Sequence, residues 1–320
     1  MKKKFLLSFI LSFICFGLVF MVFGKDVFLD NGYVPTIEDN DKPEIDLGED
    51  NKIEQKIKNE ILFLMMGVDA NGVKNYKGIR TDTMMLFKVN FDTGETNILS
   101  IPRDTRVLVK GKKDKINHAH SYGGPELTMR TVRDFLGIDV DYYVKVDYNV
   151  VMEVVDAIGG VEIDVPFDMK YKDTNPEITP LNINIKKGLQ TLDGKNAHDF
   201  LRWRKNNDGS KVEYPEGDVG RIKAQQMFMK ELIKQTLKFK NLFKLQNLIK
   251  TYYKNVETNI PLNIILKAAT NAKKIDMENI KTDIIPGEGE YIGSTSYYLY
   301  DEIETEKLIK DIFNDYLLNE

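Results

Sequence analysis

One segment narrows the possible folds before any other. Ile61-Leu62-Phe63-Leu64-Met65-Met66 is an unbroken apolar run that ends in Gly67-Val68-Asp69. A strand with one wet face alternates apolar and polar residues, so an unbroken run reads as a strand buried on both faces. Such a strand needs a sheet with a packed layer on each side. Residues 83–90 and 96–101 read as two further strands joined by the turn Asp92-Thr93-Gly94-Glu95. Residues 125–136 read as a helix, with Pro125 at its start and Gly137 at its stop. Strands follow at 142–146, 161–165 and 280–285. Helices are predicted at 148–158, 192–205, 219–239, 242–253, 262–273 and 302–318. Strands alternating with helices give an α/β class, expected as a layered α-β-α sandwich with a mixed central sheet. Residues 61–320 have the length of one large domain, and no internal repeat is visible.

Ahead of this domain stand Lys2, Lys3 and Lys4, then the uncharged stretch from Phe5 to Gly24. A helix of that length matches the hydrocarbon thickness of a bilayer. The lysines would stay in the cytoplasm, making residues 1–24 a single-pass transmembrane anchor with everything after Lys25 outside the cell. A cleaved signal peptide is the competing reading, since Val22 and Gly24 suit a peptidase site, but its apolar core usually spans about 7–15 residues. Residues 25–60 are rich in Asp and Glu, carry Pro35 and Pro43, and read as an acidic flexible stalk.

The formal net charge of −4 argues against nucleic-acid binding through bulk positive charge. The single cysteine, Cys15, lies in the apolar stretch, which excludes a disulfide scaffold and a Cys-based zinc cluster. The 45 basic residues include only eight arginines, none before Arg80 or after Arg221. Arg80 precedes Asp82, and Arg103 precedes Asp104 after a strand. Arg202 and Arg204 flank Trp203, and Arg221 opens a helix after Asp218. A guanidinium binds phosphate oxygens in pairs, a geometry that an ammonium does not copy. Asp69 and Asp82 end one core strand and enter the next, where ligands gather in α/β sheets. Two carboxylates there suit a hard cation such as Mg²⁺ together with substrate oxygens; the alternative is that each caps a turn. Likewise the arginines are either a phosphate site or ordinary salt-bridge partners. Arginines with acidic metal ligands together read as a site for a diphosphate ester.

The motifs carry a resemblance. Gly67-Val68-Asp69, Arg80-Thr81-Asp82-Thr83-Met84, Ser100-Ile101-Pro102-Arg103-Asp104-Thr105 and Lys115-Ile116-Asn117 with Tyr122-Gly123-Gly124 come first. Gly159-Gly160-Val161, Leu192-Asp193-Gly194, Arg202-Trp203-Arg204 and Asp218-Val219-Gly220-Arg221 with Gln225-Gln226 follow in order. The chain resembles the LytR–CpsA–Psr family of bacterial cell-envelope proteins over about residues 61–240. The resemblance implies a phosphotransferase that moves a glycopolymer, teichoic acid-like or capsular, from a polyprenyl-diphosphate carrier to a peptidoglycan sugar hydroxyl. It implies Mg²⁺ (or Mn²⁺) on Asp69 and Asp82. It implies pyrophosphate contacts from Arg80, Arg103, Arg202, Arg204, Arg221 and Gln225, with Lys115, Asn117 and Asp218 in support. Asp82, Arg103 and Asp104 would act on the reacting groups. A long apolar tunnel between sheet and helices would hold the polyprenyl chain. The implied partners are the lipid-linked glycopolymer, peptidoglycan and the bacterial cytoplasmic membrane, with no nucleic acid. Where the family often has arginine before the paired glutamines this chain has Ala224, so Lys223 is the candidate substitute. Residues 241–320 match no motif. Two other functions remain open from the residues: a Mg²⁺-dependent pyrophosphatase with water as acceptor, and a membrane-tethered lipid-binding or regulatory module that attenuates transcription.

Among smaller signals, His118 and His120 fall in a segment that reads as loop, without a third metal ligand nearby. Trp203 is expected to pack in the core. Arg130 and Arg133 are expected on a solvated helix face, paired with Glu126 or Asp134. Arg106 is placed near the site but behind it.

Overall fold

The computed structural model describes residues 59–68, 77–173, 181–236, 257–261, 264, 271, 274–275 and 277–318. The apolar anchor segment, the expected stalk up to residue 58, Asp69 and the helix expected at 242–253 lie outside the described residues, as does most of 262–273; Glu60, expected as the end of the stalk, already opens the first strand. In chain order the elements begin β1 (Glu60–Val68), β2 (Thr81–Asn90), β3 (Thr96–Ser100), β4 (Arg106–Val109) and β5 (Lys112–Lys115). Then come α1 (His118–Leu136), β6 (Tyr142–Asp147), α2 (Tyr148–Ile158), β7 (Val161–Val165), β8 (Met169–Lys172), β9 (Asn182–Ile185) and β10 (Gly188–Leu192). The remainder are α3 (Gly194–Arg202), α4 (Asp218–Thr236), β11 (Glu257–Thr258), β12 (Ile280–Ile284), β13 (Gly287–Ile292), β14 (Thr295–Tyr300) and α5 (Glu302–Phe313).

The main sheet runs β11-β6-β1-β2-β3-β12. It is mixed: β1 pairs parallel with β6 and antiparallel with β2, while β3 pairs antiparallel with β2 and parallel with β12. The apolar run of β1 explains the architecture. Side chains alternate across a strand, so Ile61, Phe63 and Met65 enter one core while Leu62, Leu64 and Met66 enter another. The neighbouring β2 divides the same way, Met85 and Phe87 to the first core, Met84 and Leu86 to the second. Phe63 and Phe87, opposite each other in register, stack at 5.1 Å. The first core is closed by Val150 and Val154 of α2, Phe200 of α3 and Phe228 of α4. The second is closed by Ala119 and Val132 of α1 and by Ile309 and Phe313 of α5.

Several expected boundaries move. The helix expected from 192 divides: Leu192 ends β10, and Asp193 caps α3 by accepting a hydrogen bond from Asn196 N at 2.8 Å. A side-chain oxygen at the N-cap satisfies a backbone donor that the helix cannot. The last helix stops at Phe313 and continues as a 3-10 turn, Asn314–Tyr316. The segment around His118 is helical, not loop. Residues 118–122 form the first turns of α1, the backbone leaves helical geometry at Gly123-Gly124, and Pro125 restarts it. Four antiparallel pairs were not legible: β4 with β5, β7 with β10, β8 with β9 and β13 with β14. Their strands are short, and β13 is exposed at every residue, so no apolar alternation marks it.

Gly194 shows how tightly α3 meets α2. A Cβ there would stand 2.2 Å from the Met152 carbonyl oxygen, and a backbone atom cannot swing aside. Gly194→Ala is expected to destabilise the domain by about 1–3 kcal/mol, the range for overpacking. A urea denaturation midpoint equal to that of the parent would contradict this contact.

Candidate active site

Arg103 leaves the end of β3 through Pro102 and reaches across to the start of β2. Its guanidinium donates to Asp82 Oδ1 at 2.6 Å. Its Nε lies 3.8 Å from Asp104 Oδ2, and Lys115 Nζ holds the other Asp104 oxygen at 3.0 Å. Burial disfavours the Arg103 charge, but Asp82, Asp104 and Asp218 outweigh it and raise its pKa further. From the first turn of α4, Asp218 Oδ1 pairs with Arg221 at 2.7 Å. Arg221 is buried, unusual for a cation, and the carboxylate one turn earlier makes that tolerable.

Arg204 completes the group. It remains exposed, yet its guanidinium is held below its ordinary pKa by desolvation and by the Arg221 and Arg103 charges; Asp218 and Asp82 oppose this. Three guanidinium groups thus share one field with two carboxylates. Next to Arg103 and Arg221 an open pocket of about 230 Å³ is lined by these two with Asp82, Asp218 and Gln225 at its polar side. Thr83, Met84, Met85, Ser100, Ile101 and Ile222 line the rest. The pocket therefore joins a cationic rim to apolar walls from the sheet and α4. The long tunnel implied by the resemblance is not traced by this pocket.

Other expected site residues land elsewhere. Arg202 stacks on the Tyr148 ring with its guanidinium carbon 5.5 Å from the centroid, while Arg204, two residues on, points to the cluster. Arg80 is exposed ahead of β2, and its charge bears on Tyr122 of α1. Asn117 is buried before α1; its backbone N–H donates to Arg103 O at 3.2 Å, and its Oδ1 has no hydrogen-bond partner among the described residues. Lys223 is turned to Glu216 at 2.6 Å and Ala224 is buried, so neither stands where a phosphate contact was sought. Arg133 pairs with Asp139 and Asp141, not Glu126 or Asp134, because the chain turns back past Gly137 and brings those aspartates alongside. Trp203 is buried and donates to Asn206 Oδ1 at 3.0 Å, packing edge-on to Tyr214. Gly220 leaves room for Tyr214: a Cβ there would stand 2.7 Å from Tyr214 Cβ.

The site residues Thr83, Ser100 and Ile222 were not singled out from sequence. Thr83 and Ser100 lie inside the quoted motif strings, so a signal existed; Ile222 reads only as one more apolar helix position. Among the described residues, no group of three or more His, Cys, Asp and Glu side chains forms a closed metal cage.

The LytR_cpsA_psr family model matches residues 32–314. The chain belongs to that family. It is 32% identical over 265 residues to the polyisoprenyl-teichoic acid–peptidoglycan teichoic acid transferase TagU of Bacillus subtilis, covering 82% of this chain and 80% of that one. It is 31% identical over 307 residues to TagU of Bacillus anthracis, with 94% and 93% covered. The crystal structure of B. subtilis TagV superposes with a TM-score of 0.66 at 31% identity, covering 81% of this chain and 97% of that one.

The paired glutamines have separate tasks. Gln225 lines the pocket, while Gln226 points into the fold, where its Nε2 donates to Ser100 Oγ at 2.9 Å and Asp283 O at 2.8 Å. Gln226 thereby ties α4 to β3 and β12. Gln226→Leu is expected to cost about 1–3 kcal/mol, since it leaves buried polar partners unpaired. A thermal melt unchanged by this substitution would remove Gln226 from that role.

Proposed function

We propose that this protein is a phosphotransferase that moves a teichoic acid from a polyprenyl-diphosphate carrier to a sugar hydroxyl of peptidoglycan. The observation that carries this reading is the pocket itself, in which Arg103 and Arg221 stand beside apolar walls, with the Arg204 charge bearing on both. A diphosphate bonded to an apolar chain needs both surfaces at once. The named activity of TagU in the two Bacillus species supports the same substrates.

In the proposed step the acceptor hydroxyl oxygen attacks the phosphorus that bears the glycopolymer. The bond from that phosphorus to the bridging oxygen breaks, and polyprenyl phosphate leaves with the electron pair. Arg103 presents a fork to the diphosphate, with Asp82 fixing its orientation at 2.6 Å. Arg221 and Arg204 neutralise charge as it shifts to the leaving phosphate, a task that preorganised cations perform without rearranging. Asp82 and Asp104 flank Arg103, and one of them receives the hydroxyl proton. Positioning and charge do most of the work, as expected for phosphoryl transfer. Gln225 and the supporting Lys115, Asn117 and Asp218 are proposed to bind or brace the same ester, whereas Arg80 and Arg202 stand apart from the pocket.

Mg²⁺ (or Mn²⁺) is proposed at Asp82 together with Asp69. Asp82 is a hard oxygen donor on the pocket rim, half-exposed, with one oxygen engaged by Arg103. A hard cation that keeps waters and takes substrate phosphate oxygens needs few protein carboxylates, so this donor set fits it. When bound, the ion would withdraw charge from the diphosphate. The localisation proposed is the cell membrane, single-pass, with Lys2–Lys4 cytoplasmic and the catalytic domain outside. The uncharged stretch from Phe5 to Gly24 supports it. Among the described residues no helix is long and apolar enough to cross a membrane.

Arg103→Lys keeps the charge and loses the fork. With a purified lipid-linked donor and peptidoglycan acceptor, transfer is expected to fall by roughly 100-fold while the melting temperature holds. Undiminished transfer would sink the assignment of Arg103. Release of free phosphorylated polymer by the parent protein, with none on peptidoglycan, would point to water as the acceptor.

A further inference from the structure

The β13–β14 hairpin, from the part of the chain that matches no motif, folds back onto the strand that leaves Arg103. Tyr298 N donates to Asp104 O at 2.9 Å, and Thr105 forms a parallel bridge with Tyr298. One residue away, the Tyr297 ring lies under two cations from facing positions of the β4–β5 pair. The Arg106 guanidinium carbon is 5.5 Å from its centroid and Lys115 Nζ is 5.7 Å. Lys115 is the residue that holds Asp104, and Asp104 lies beside Arg103.

We infer that Tyr297 is a positioning residue for the active site, acting through Lys115 and Asp104 on Arg103. The inference rests on the transferase reading only for its kinetic consequence. Arg103 has two acids within reach, Asp82 in hydrogen-bond contact and Asp104 held off at 3.8 Å. Its Nε is buried without a hydrogen-bond partner among the described residues, so closing onto Asp104 would relieve an unmet donor. What opposes closure is Lys115, which occupies the other Asp104 oxygen. A lysine stem is flexible, and a π face on its ammonium restricts it. Without the ring, Lys115 drifts, Asp104 turns to Arg103, and the fork rotates away from Asp82 and the pocket.

The test compares Tyr297→Phe, which keeps the π face, with Tyr297→Leu, which keeps bulk but not the quadrupole. With lipid-linked donor, Leu is expected to lower kcat by about tenfold, the scale of lost cation–π contacts, and Phe to stay within about twofold. Melting temperatures of both should match the parent. Equal kcat for Leu and the parent, or Phe as impaired as Leu, would overturn the inference. A crystal structure of the Leu variant judges it independently of the reaction. Asp104 closing on Arg103 supports it, while Arg103, Asp104 and Lys115 unmoved from their parental contacts overturns it. A parent protein that transfers nothing would count against the transferase reading alone.

Discussion

Three like charges cannot be crowded into one cleft unless anions stand between them, and that constraint organises this site. Arg221 is buried because Asp218, three residues earlier on the same helix, pairs with it. Arg103 is raised in pKa because Asp82 and its neighbours more than repay its burial. Arg204, which forms no ion pair among the described residues, is the member whose pKa falls. The cluster is therefore uneven: two guanidinium groups are neutralised locally and the third is poised for an external anion. A phosphate bound beside Arg204, as proposed, would relieve the repulsion from Arg103 and Arg221, so that ligand binding and relief of like-charge strain would coincide.

Those charges meet because the sheet brings distant segments to one end. Asp82 enters β2 and Arg103 follows β3, and these strands are antiparallel neighbours, so the start of one adjoins the end of the other. Asp218, Arg221 and Gln225 arrive on α4, which packs on the first core through Phe228, Leu232 and Ile233. Gln226 fixes the rotation of α4 by reaching Ser100 and Asp283. The helix thus carries Asp218, Arg221 and Gln225 to the pocket and, further along, Phe228, Leu232 and Ile233 to the first core.

The central strands were legible because burial on both faces writes itself as an unbroken apolar run, Ile61 to Met66 in β1 and Met84 to Phe87 in β2. The short hairpins were not, because their stability comes from partners rather than pattern. Lys112-Lys113-Asp114-Lys115 has no apolar alternation, yet it pairs with β4 because Val107 and Val109 are anchored in the second core. Within the site, scarce arginine was the informative signal: it marked Arg103 and Arg221, and the fold then brings Arg103 onto Asp82 as well as its sequence neighbour Asp104. It did not separate Arg204 from Arg202. Side chains two apart diverge at the end of α3, where Trp203 turns into the core and leaves one arginine on Tyr148 and the other toward the pocket. Arg80 shows the same limit, since two residues from Asp82 still places it beside Tyr122.

The segment beyond residue 240 carries none of the quoted motif strings, yet the family model runs through it to residue 314 and packing makes it part of the fold. β12 pairs in parallel with β3 along five residues, extending the main sheet at the edge nearest Arg103. Ile285, Tyr298, Ile309 and Phe313 are part of the second core, shared with Leu64 and Met66 of β1. Tyr298 is buried, its hydroxyl donates to Ile285 O at 2.7 Å, and burial pushes its pKa up to about 12. A chain ending after α4 would expose the β3 edge and remove α5 from the layer that covers the second core, leaving α1 alone there. Residues 277–318 are therefore a condition for the site's geometry. Sequence motifs missed them because a packing role tolerates many apolar residues, whereas a phosphate fork tolerates one.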